Sequence, residues 1–281
     1  MHMNKLILFV IILLNTLGYA EAQKLTLKWK TDSLLRTPES VYYDGKANIL
    51  YVSNIDGKSG EKDGNGFITK LRLDGKIETL QWVTGLDAPK GMGLVKGKLY
   101  VADLSKVAVI DIATGRIDNS IEIEGAQFLN DITVDKKGNV YVSDSATGKI
   151  HLIKGDDKAE LYFESKAFTR INGLLAIDDM LYVADAGNGA NYKLSKNKEL
   201  NKFTETSQGA DGILLVGKDE YIVSSWPGEV YYVNAEGKAQ KLLDTKEQKL
   251  NSADLGYHPA TKTVFVPTFN GNTVMAYEWS K

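Results

Sequence analysis

The sequence predicts an all-β protein, a six-bladed β-propeller whose blades have about four antiparallel strands each. The main observation is a strand-like tetrapeptide with a polar last residue that occurs six times, at starts between 40 and 49 residues apart. A repeat of about 40 to 50 residues is typical of propeller blades. The six copies are Tyr51–Asn54, Tyr100–Asp103, Tyr141–Asp144, Tyr182–Asp185, Ile222–Ser225 and Phe265–Thr268.

Each tetrapeptide has an apolar strand before it and two amphipathic strands after it. A polar or small pair lies 10 to 12 residues upstream and leads into the first strand of the unit. In the first unit, Phe67–Leu73 is followed by a turn at Asp74–Lys76 and a further strand from Ile77 to Leu80. The 26 glycines and 14 tyrosines, set against 5 prolines and 5 methionines, also favour short strands and tight turns over long helices.

The two ends of the sequence complete the last blade. Lys24–Lys30 is a lone alternating strand, and Thr273–Trp279 is a strand without an outer neighbour. Pairing these two strands would close the ring and remove two unpaired sheet edges. A β-sandwich is the competing architecture, but Greek-key connections do not produce six units at near-constant spacing. We therefore expect one propeller domain over residues 23–281.

Charge and cysteine content exclude several classes of function. The 34 Lys and Arg residues are balanced by 36 Asp and Glu residues, which leaves a net charge of −2 and no basic excess for a nucleic acid. The sequence has no cysteine, so disulfides, thiolate nucleophiles and Cys-ligated metals are excluded.

The first 22 residues have the layout of a secretory signal peptide. Lys5 is followed by an apolar run from Leu6 to Leu14 and then by Ala20-Glu21-Ala22. We expect cleavage near Ala22 and a periplasmic or secreted protein; a buried N-terminal strand is the alternative. No later apolar segment is long enough to hold the chain in a membrane, so no membrane anchor is expected.

The first polar or small residue of each upstream pair occupies the same point in its blade, and we call these six the channel residues. Because innermost strands line the axis of a propeller, we expect their side chains to converge. Two carboxylates and two amides around one small volume suit a hard cation such as Ca²⁺. In blade order the channel residues are Glu39, Lys90, Asn130, Asn172, Asp211 and Ala253.

Four of these positions carry short motifs, which are Pro38–Ser40, Leu129–Asp131, Ile171–Gly173 and Ala210–Gly212. In these motifs and their blade order the sequence resembles the regucalcin and gluconolactonase family of six-bladed propellers, over nearly the whole of residues 23–281. The resemblance implies that Glu39, Asn172 and Asp211 hold one divalent cation, with Asn130 beside the substrate or completing the coordination.

The function implied by this resemblance is a metal-dependent hydrolase of the lactonase or esterase type, acting on a small molecule. Calcium is the expected cation, with zinc or manganese as alternatives. Asp211 or Asp131 is the expected general base, ionised at a usual carboxylate pKa of about 4. Lys90 would bind an anionic substrate group or polarise an oxygen. The sequence does not indicate an oligomeric state.

Two departures from the family support an alternative function. Lys90 brings a cation to the channel and could bridge Glu39 and Asp211 without any metal ion. In addition, Gly125–Phe128 precedes Asn130 without an arginine, so a sugar-acid contact is missing. The alternative is a non-catalytic propeller that binds a ligand or protein partner, with its channel salt-bridged by Lys90.

Two further features bear on the chemistry. Neither His151 nor His258 is placed for the channel, which argues against a histidine proton shuttle and a Ser/His/Asp triad. The glycine-rich segment 56–66 lacks the spacing of an EF-hand loop. We interpret it as an insertion of the first blade, either a simple surface loop or a lid over one mouth of the channel.

Overall fold

The computed structural model describes residues 23–155 and 158–281, and the predicted signal peptide lies outside these ranges. Within them, 24 strands form six four-stranded antiparallel sheets. The propeller prediction is therefore confirmed. Sheets 1 to 5, numbered as blades, contain in chain order β2(Pro38–Asp44), β3(Ile49–Asn54), β4(Gly66–Arg72), β5(Ile77–Leu86); β6(Pro89–Val95), β7(Lys98–Asp103), β8(Lys106–Asp111), β9(Arg116–Glu122); β10(Leu129–Val134), β11(Val140–Asp144), β12(Lys149–Ile153), β13(Ala159–Glu164); β14(Ile171–Ile177), β15(Met180–Asp185), β16(Ala190–Ser195), β17(Leu200–Glu205); β18(Ala210–Gly217), β19(Glu220–Ser225), β20(Glu229–Val233) and β21(Ala239–Asp244).

The sixth blade contains both ends of the described chain. Its strands are, from the axis outwards, β22(Gly256–His258), β23(Thr263–Pro267), β24(Val274–Ser280) and β1(Lys24–Lys30). The N-terminal strand β1 pairs antiparallel with β24. The predicted closure of the ring by the two terminal strands is thus confirmed, and β24 has no free edge.

A β-bulge interrupts the innermost strand of each of the first five blades. In blade 3, Leu129 pairs with Asp144 and Ile132 pairs with Val142, so the two residues between them are displaced from the ladder. The same shift occurs at the channel residues of blades 1, 2, 4 and 5. Because a bulge re-aims side chains, it turns the channel residue out of the sheet and towards the mouth of the channel.

The repeated tetrapeptide supports these bulges through its polar residues. In blade 3, the Ser143 hydroxyl accepts a hydrogen bond from the Asp131 N–H at 2.9 Å and donates to the Asn172 carbonyl of the next blade at 2.7 Å. Asp144 accepts hydrogen bonds from the backbone N–H groups of Gln127 and Phe128. The tetrapeptide therefore satisfies backbone groups that the interrupted ladder leaves unpaired.

The apolar core lies between adjacent blades. One cluster joins Tyr100 and Val109 of blade 2 to Leu129, Ile132 and Val142 of blade 3, all of them buried. Burial of apolar side chains on both faces of each sheet stabilises the ring. In the described ranges, no helix has the length and apolar character needed to span a membrane.

Candidate functional site

A cavity of about 340 Å³ opens at one mouth of the central channel. It gathers five of the six channel residues, which are separated by up to 172 positions in the sequence. Ala253 is fully buried and is not part of the lining. The cavity is lined by Glu39, Ile55, Ser59, Lys90, Phe128, Asn130, Arg170, Asn172, Ala186, Gly209, Asp211, Trp226 and Phe269.

Three buried oxygen atoms of this lining accept no hydrogen bond. They are Oε2 of Glu39, Oδ1 of Asn172 and Oδ1 of Asp211, one from each of three inner strands. Buried polar atoms are usually paired, so three unpaired acceptors in one cavity need a partner that the polypeptide does not supply. Two carboxylates and an amide oxygen are a donor set for a hard divalent cation, and these residues fit one.

Burial raises the pKa of the acidic side chains of the site when no cation is near, which favours their protonated forms. Desolvation raises the pKa of Glu39 to about 8, Asp254 raises it further, and Lys90 opposes the change. Desolvation also raises the pKa of Asp211 well above its usual range, with Glu39 and Asp254 as the next contributions. A pKa of about 4 was expected for Asp211; burial makes that expectation wrong for the cation-free protein.

Asn130 is held by a hydrogen-bond chain that runs into the next blade. Its Nδ2 atom donates to the Ser145 hydroxyl at 3.0 Å, and that hydroxyl donates to the Ile171 carbonyl at 2.5 Å. Because one end of the amide is fixed in this way, the Oδ1 atom lies at the other end as a potential ligand. This placement suits the expected role beside the substrate or the cation.

Lys90 does not bridge the two carboxylates. Its ammonium group donates to the Ala88 carbonyl at 2.9 Å and lies 4.5 Å from the centre of the Phe128 ring. In residues 23–155 and 158–281, no ion pair within 4.0 Å joins Lys90 to Glu39 or Asp211. Desolvation lowers the pKa of Lys90 to about 8, while Glu39 and Asp103 oppose the change. The proposed salt-bridged geometry is therefore wrong, although the side chain is buried at the site.

Asp131 lies outside the cavity, and the prediction that it acts as a general base is corrected. Its Oδ1 atom accepts from the Ile132 N–H at 2.6 Å and its Oδ2 atom accepts from the Leu174 N–H at 2.5 Å. The Oδ1 atom thus bonds within blade 3, and the Oδ2 atom ties blade 3 to blade 4. The physical reason is the bulge, which sends Asn130 into the cavity and its neighbour Asp131 between the blades.

The walls of the cavity were not predicted from the sequence. Phe128 and Arg170 precede channel residues by two positions, so the same register could have identified them. Trp226 follows the fifth tetrapeptide directly, and Phe269 follows the sixth. No arginine accompanies Asn130 in sequence, but blade 4 brings Arg170 to the same cavity.

The segment 56–66 reaches the mouth of the channel. Ser59 contributes to the cavity lining, and a side-chain carbon added at Gly60 would lie 3.9 Å from the Phe128 ring. The Lys62 ammonium donates to the Ser105 hydroxyl of blade 2 at 3.0 Å. The segment thus crosses from blade 1 to blade 2 beside the cavity.

The two histidines of the described chain lie elsewhere, as expected. His151 is buried in β12, and the His258 ring stacks on Tyr43 with 4.4 Å between ring centres. Within the ranges that the structure describes, no group of three or more His, Cys, Asp or Glu side chains is arranged to hold a metal ion. A cation in the cavity would therefore need the amide oxygens as well as the two carboxylates.

The similarity of this chain to proteins of known structure lies in its fold. No model of a known protein family matches the sequence, and no curated protein is similar to it in sequence. A streptogramin B lyase matches with a TM-score of 0.67 at 10% identity, over 92% of this chain and 98% of the lyase. A provisionally named gluconolactonase matches with a TM-score of 0.69 at 15% identity, over 92% of this chain and 93% of that protein.

An inactive variant of the virginiamycin B lyase from Staphylococcus aureus, with quinupristin, also has a similar structure. Its TM-score is 0.64 at 13% identity, over 92% of this chain and 99% of the lyase. At these identities the three proteins share a fold. They place this chain among six-bladed propellers that include a lyase and a gluconolactonase-like protein.

Proposed function

We propose that this protein is a divalent-cation-dependent hydrolase of lactones or esters, with calcium as the expected cation. The observation that carries the proposal is the set of three buried, unpaired oxygens of Glu39, Asn172 and Asp211 in an open cavity. Asn130 is the fourth candidate ligand or a substrate contact. When bound, a divalent cation would supply Lewis-acid polarisation of the substrate carbonyl.

The side chains of the cavity have distinct roles in this proposal. Hydrolysis joins the water oxygen to the carbonyl carbon and breaks the bond from that carbon to the alkoxy oxygen, which receives a proton. In its ionised form Asp211 accepts the proton of the attacking water; desolvation raises the pKa of Asp211 most, and a hydrogen bond with Asn172 opposes that rise. The Lys90 ammonium stabilises negative charge that develops near the floor of the cavity. Asn130 positions the substrate oxygen.

The decisive experiment measures calcium binding and hydrolysis in the same preparations. Purified protein should bind about one Ca²⁺ in calorimetry and hydrolyse members of a lactone and ester panel only when the ion is present. Asn172→Ala should weaken calcium binding on the order of tenfold or more. Asn201→Ala is the matched control, because Asn201 is exposed on β17 of the same blade. A protein that binds no divalent cation would overturn the proposal and favour a ligand-binding propeller.

A lyase activity is less well supported than hydrolysis. The staphylococcal lyase is described as catalytically inactive when one histidine is replaced by alanine. In this chain His151 and His258 both lie outside the cavity lining. A lyase mechanism here would need another base.

We also propose that the protein is exported, with residues 1–22 removed. This proposal rests on the Lys5, apolar and Ala20-Glu21-Ala22 pattern of the sequence. Mass spectrometry of the protein from extracytoplasmic fractions should find an N-terminus near Gln23. Recovery only of the intact chain from the cytoplasm would overturn it.

A further inference from the structure

The cavity has two chemically different surfaces. Its floor is polar and consists of the buried residues Glu39, Lys90, Asn130, Asn172 and Asp211. Its walls consist mainly of large apolar side chains, which the proposed reaction does not use. These wall residues are Ile55, Phe128, Trp226 and Phe269.

Trp226 and Phe269 form a rigid aromatic surface. Their ring centres are 5.4 Å apart with an interplanar angle of 75°, an edge-to-face contact. The Trp226 backbone N–H donates to the Gly209 carbonyl at 2.7 Å, and the Trp226 carbonyl accepts from Asn251 Nδ2 at 3.0 Å. These two bonds fix the main chain that carries the indole.

Two features of this surface lower the stability of the folded protein, and a ligand-binding role would account for both. Trp226 is 38% exposed, although exposure of a large apolar ring is unfavourable. Phe269 has a φ of 46°, a left-handed conformation that bulky residues rarely adopt. Backbone strain of this kind clusters at ligand-binding positions.

The wall is poorly suited to a polyhydroxylated substrate. Apart from Glu39, Asn130, Asn172 and Asp211, the polar side chains of the lining are Ser59, Lys90 and Arg170. The charged groups of Lys90 and Arg170 donate hydrogen bonds but have no acceptor atoms. Sugar hydroxyl hydrogens placed against the aromatic wall would lose their hydrogen bonds to water without replacement. A flat apolar ring would instead gain contact area and edge or face interactions with the indole.

We infer that the site selects lactones or esters whose non-reacting part is a flat apolar ring packed against Trp226 and Phe269, in preference to sugar lactones. This inference rests on the proposed function for its reaction. The wall itself can be tested without any reaction, since an apolar ring should bind whether or not it can be hydrolysed.

The first test compares three six-membered lactones with the calcium-loaded protein. We expect kcat/KM for 3,4-dihydrocoumarin to exceed that for glucono-1,5-lactone by roughly tenfold or more, with δ-valerolactone as the unsubstituted reference. Trp226→Ala should lower kcat/KM for dihydrocoumarin by roughly tenfold, mainly through KM, and should lower kcat/KM for δ-valerolactone by a clearly smaller factor. Trp226→Phe should retain most of the preference. Leu161→Ala, at a 51% exposed position of β13, is the control for a lost surface side chain.

The second test separates this inference from the proposed function. Chroman has the two rings of dihydrocoumarin but no carbonyl group, so it cannot be hydrolysed. Titration with chroman should quench tryptophan fluorescence in the wild type and not in Trp226→Ala. Chroman binding without any lactone hydrolysis would support the apolar wall and overturn the proposed function. Hydrolysis with a preference for glucono-1,5-lactone, or no chroman binding, would overturn the inference. If Trp226→Ala fails to melt cooperatively, the test passes to Phe269→Leu, which keeps the Trp226 indole as the fluorescent probe and must then weaken chroman binding.

Discussion

The chemistry of the site depends on side chains that are buried without matching partners. Glu39 and Asp211 lie near Asp131 and Asp254, whose charges raise the pKa of Asp211 further, and Lys90 is the buried cation beside Glu39. Glycines on neighbouring strands make room for two of these acids, because a side-chain carbon at Gly91 would collide with Asp131 Oδ1 and one at Gly212 would lie 2.7 Å from Asp254 Oδ1. Such a cluster is costly when every carboxyl group is ionised, so a bound cation would relieve it.

Calcium affinity should therefore rise with pH. In the cation-free folded protein the pKa of Glu39 is raised from 4.5 to about 8, so the folded state holds a proton that the unfolded state has released between these values. The stability of the cation-free protein should fall from about pH 5 to pH 8. Calcium must expel the proton, so its affinity should increase up to about tenfold per pH unit for each proton released. Calorimetry in buffers of different ionisation enthalpy measures that release, and a pH-independent affinity would contradict it.

Replacement of Lys90 tests the electrostatics of the floor. Lys90→Met keeps the bulk of the side chain, and the ammonium group makes no ion pair with Glu39 or Asp211 in the described chain, so we expect the stability of the cation-free protein to change by only about 1 kcal/mol. Calcium should bind up to about tenfold more tightly because a nearby positive charge is removed. Lys70→Met is the control, since Lys70 also lies over an aromatic ring, 4.3 Å from that of Trp82. A calcium-independent loss of about 3 kcal/mol or more would instead support a salt-bridged channel.

At the scale of a strand, the bulge determines which residues can act. It places two consecutive residues outside the ladder, one towards the cavity and one between the blades, as with Asn130 and Asp131. The second of these residues must fit between neighbouring inner strands. In blade 4 it is Gly173, where an added side-chain carbon would collide with the Asp211 carbonyl.

Gly173→Ala should therefore damage both the fold and the site. We expect β14 and β18 to separate, with a loss of stability of about 2 kcal/mol or more and weaker calcium binding. Urea unfolding and calcium calorimetry provide the two measurements. Gly45→Ala is the control, because its new side-chain carbon would meet the Tyr43 ring at 3.5 Å, an ordinary contact. Equal stability of the two variants would mean that the inner strands are less closely packed than described.

At the scale of the whole molecule, closure of the ring holds the inner strands in register. The N-terminal strand β1 forms the outer edge of blade 6, and its Trp29 indole N–H donates to the Leu73 carbonyl of blade 1 at 3.0 Å. The terminal strand therefore links the last blade to the first. Because five blades contribute channel residues to the cavity, loss of this link would affect the site from a distance.

Removal of β1 should weaken the entire propeller. A chain that begins at Thr31 lacks Lys24–Lys30 and exposes the edge of β24, so we expect aggregation or a melting temperature lower by about 10 °C. A chain that begins at Lys24 is the matched control. Equal melting temperatures and no added aggregation for the two chains would show that the ring closes without the N-terminal strand.

The propeller and most of the floor of the site follow from the amino-acid sequence alone. Each blade is a local unit of about 40 residues, so its strands and its channel residue recur in a periodic pattern that needs no knowledge of distant contacts. The pairing of the two terminal strands follows from the same repeat, because the last unit has a strand without an outer neighbour and the N-terminal strand stands alone. For that reason the repeat is sufficient to group five side chains in one cavity, those of Glu39, Lys90, Asn130, Asn172 and Asp211.

The surroundings of those five side chains depend on tertiary packing. A β-bulge changes the direction of the side chains between two consecutive residues. Only the folded structure therefore shows that Asn130 lies in the cavity and Asp131 lies between the blades. The Phe128 ring beside Lys90 and the wall formed by Trp226 and Phe269 come from loops of different blades. Ring closure brings such loops together, and their contacts depend on the packing of neighbouring blades, which a periodic pattern within one blade does not encode.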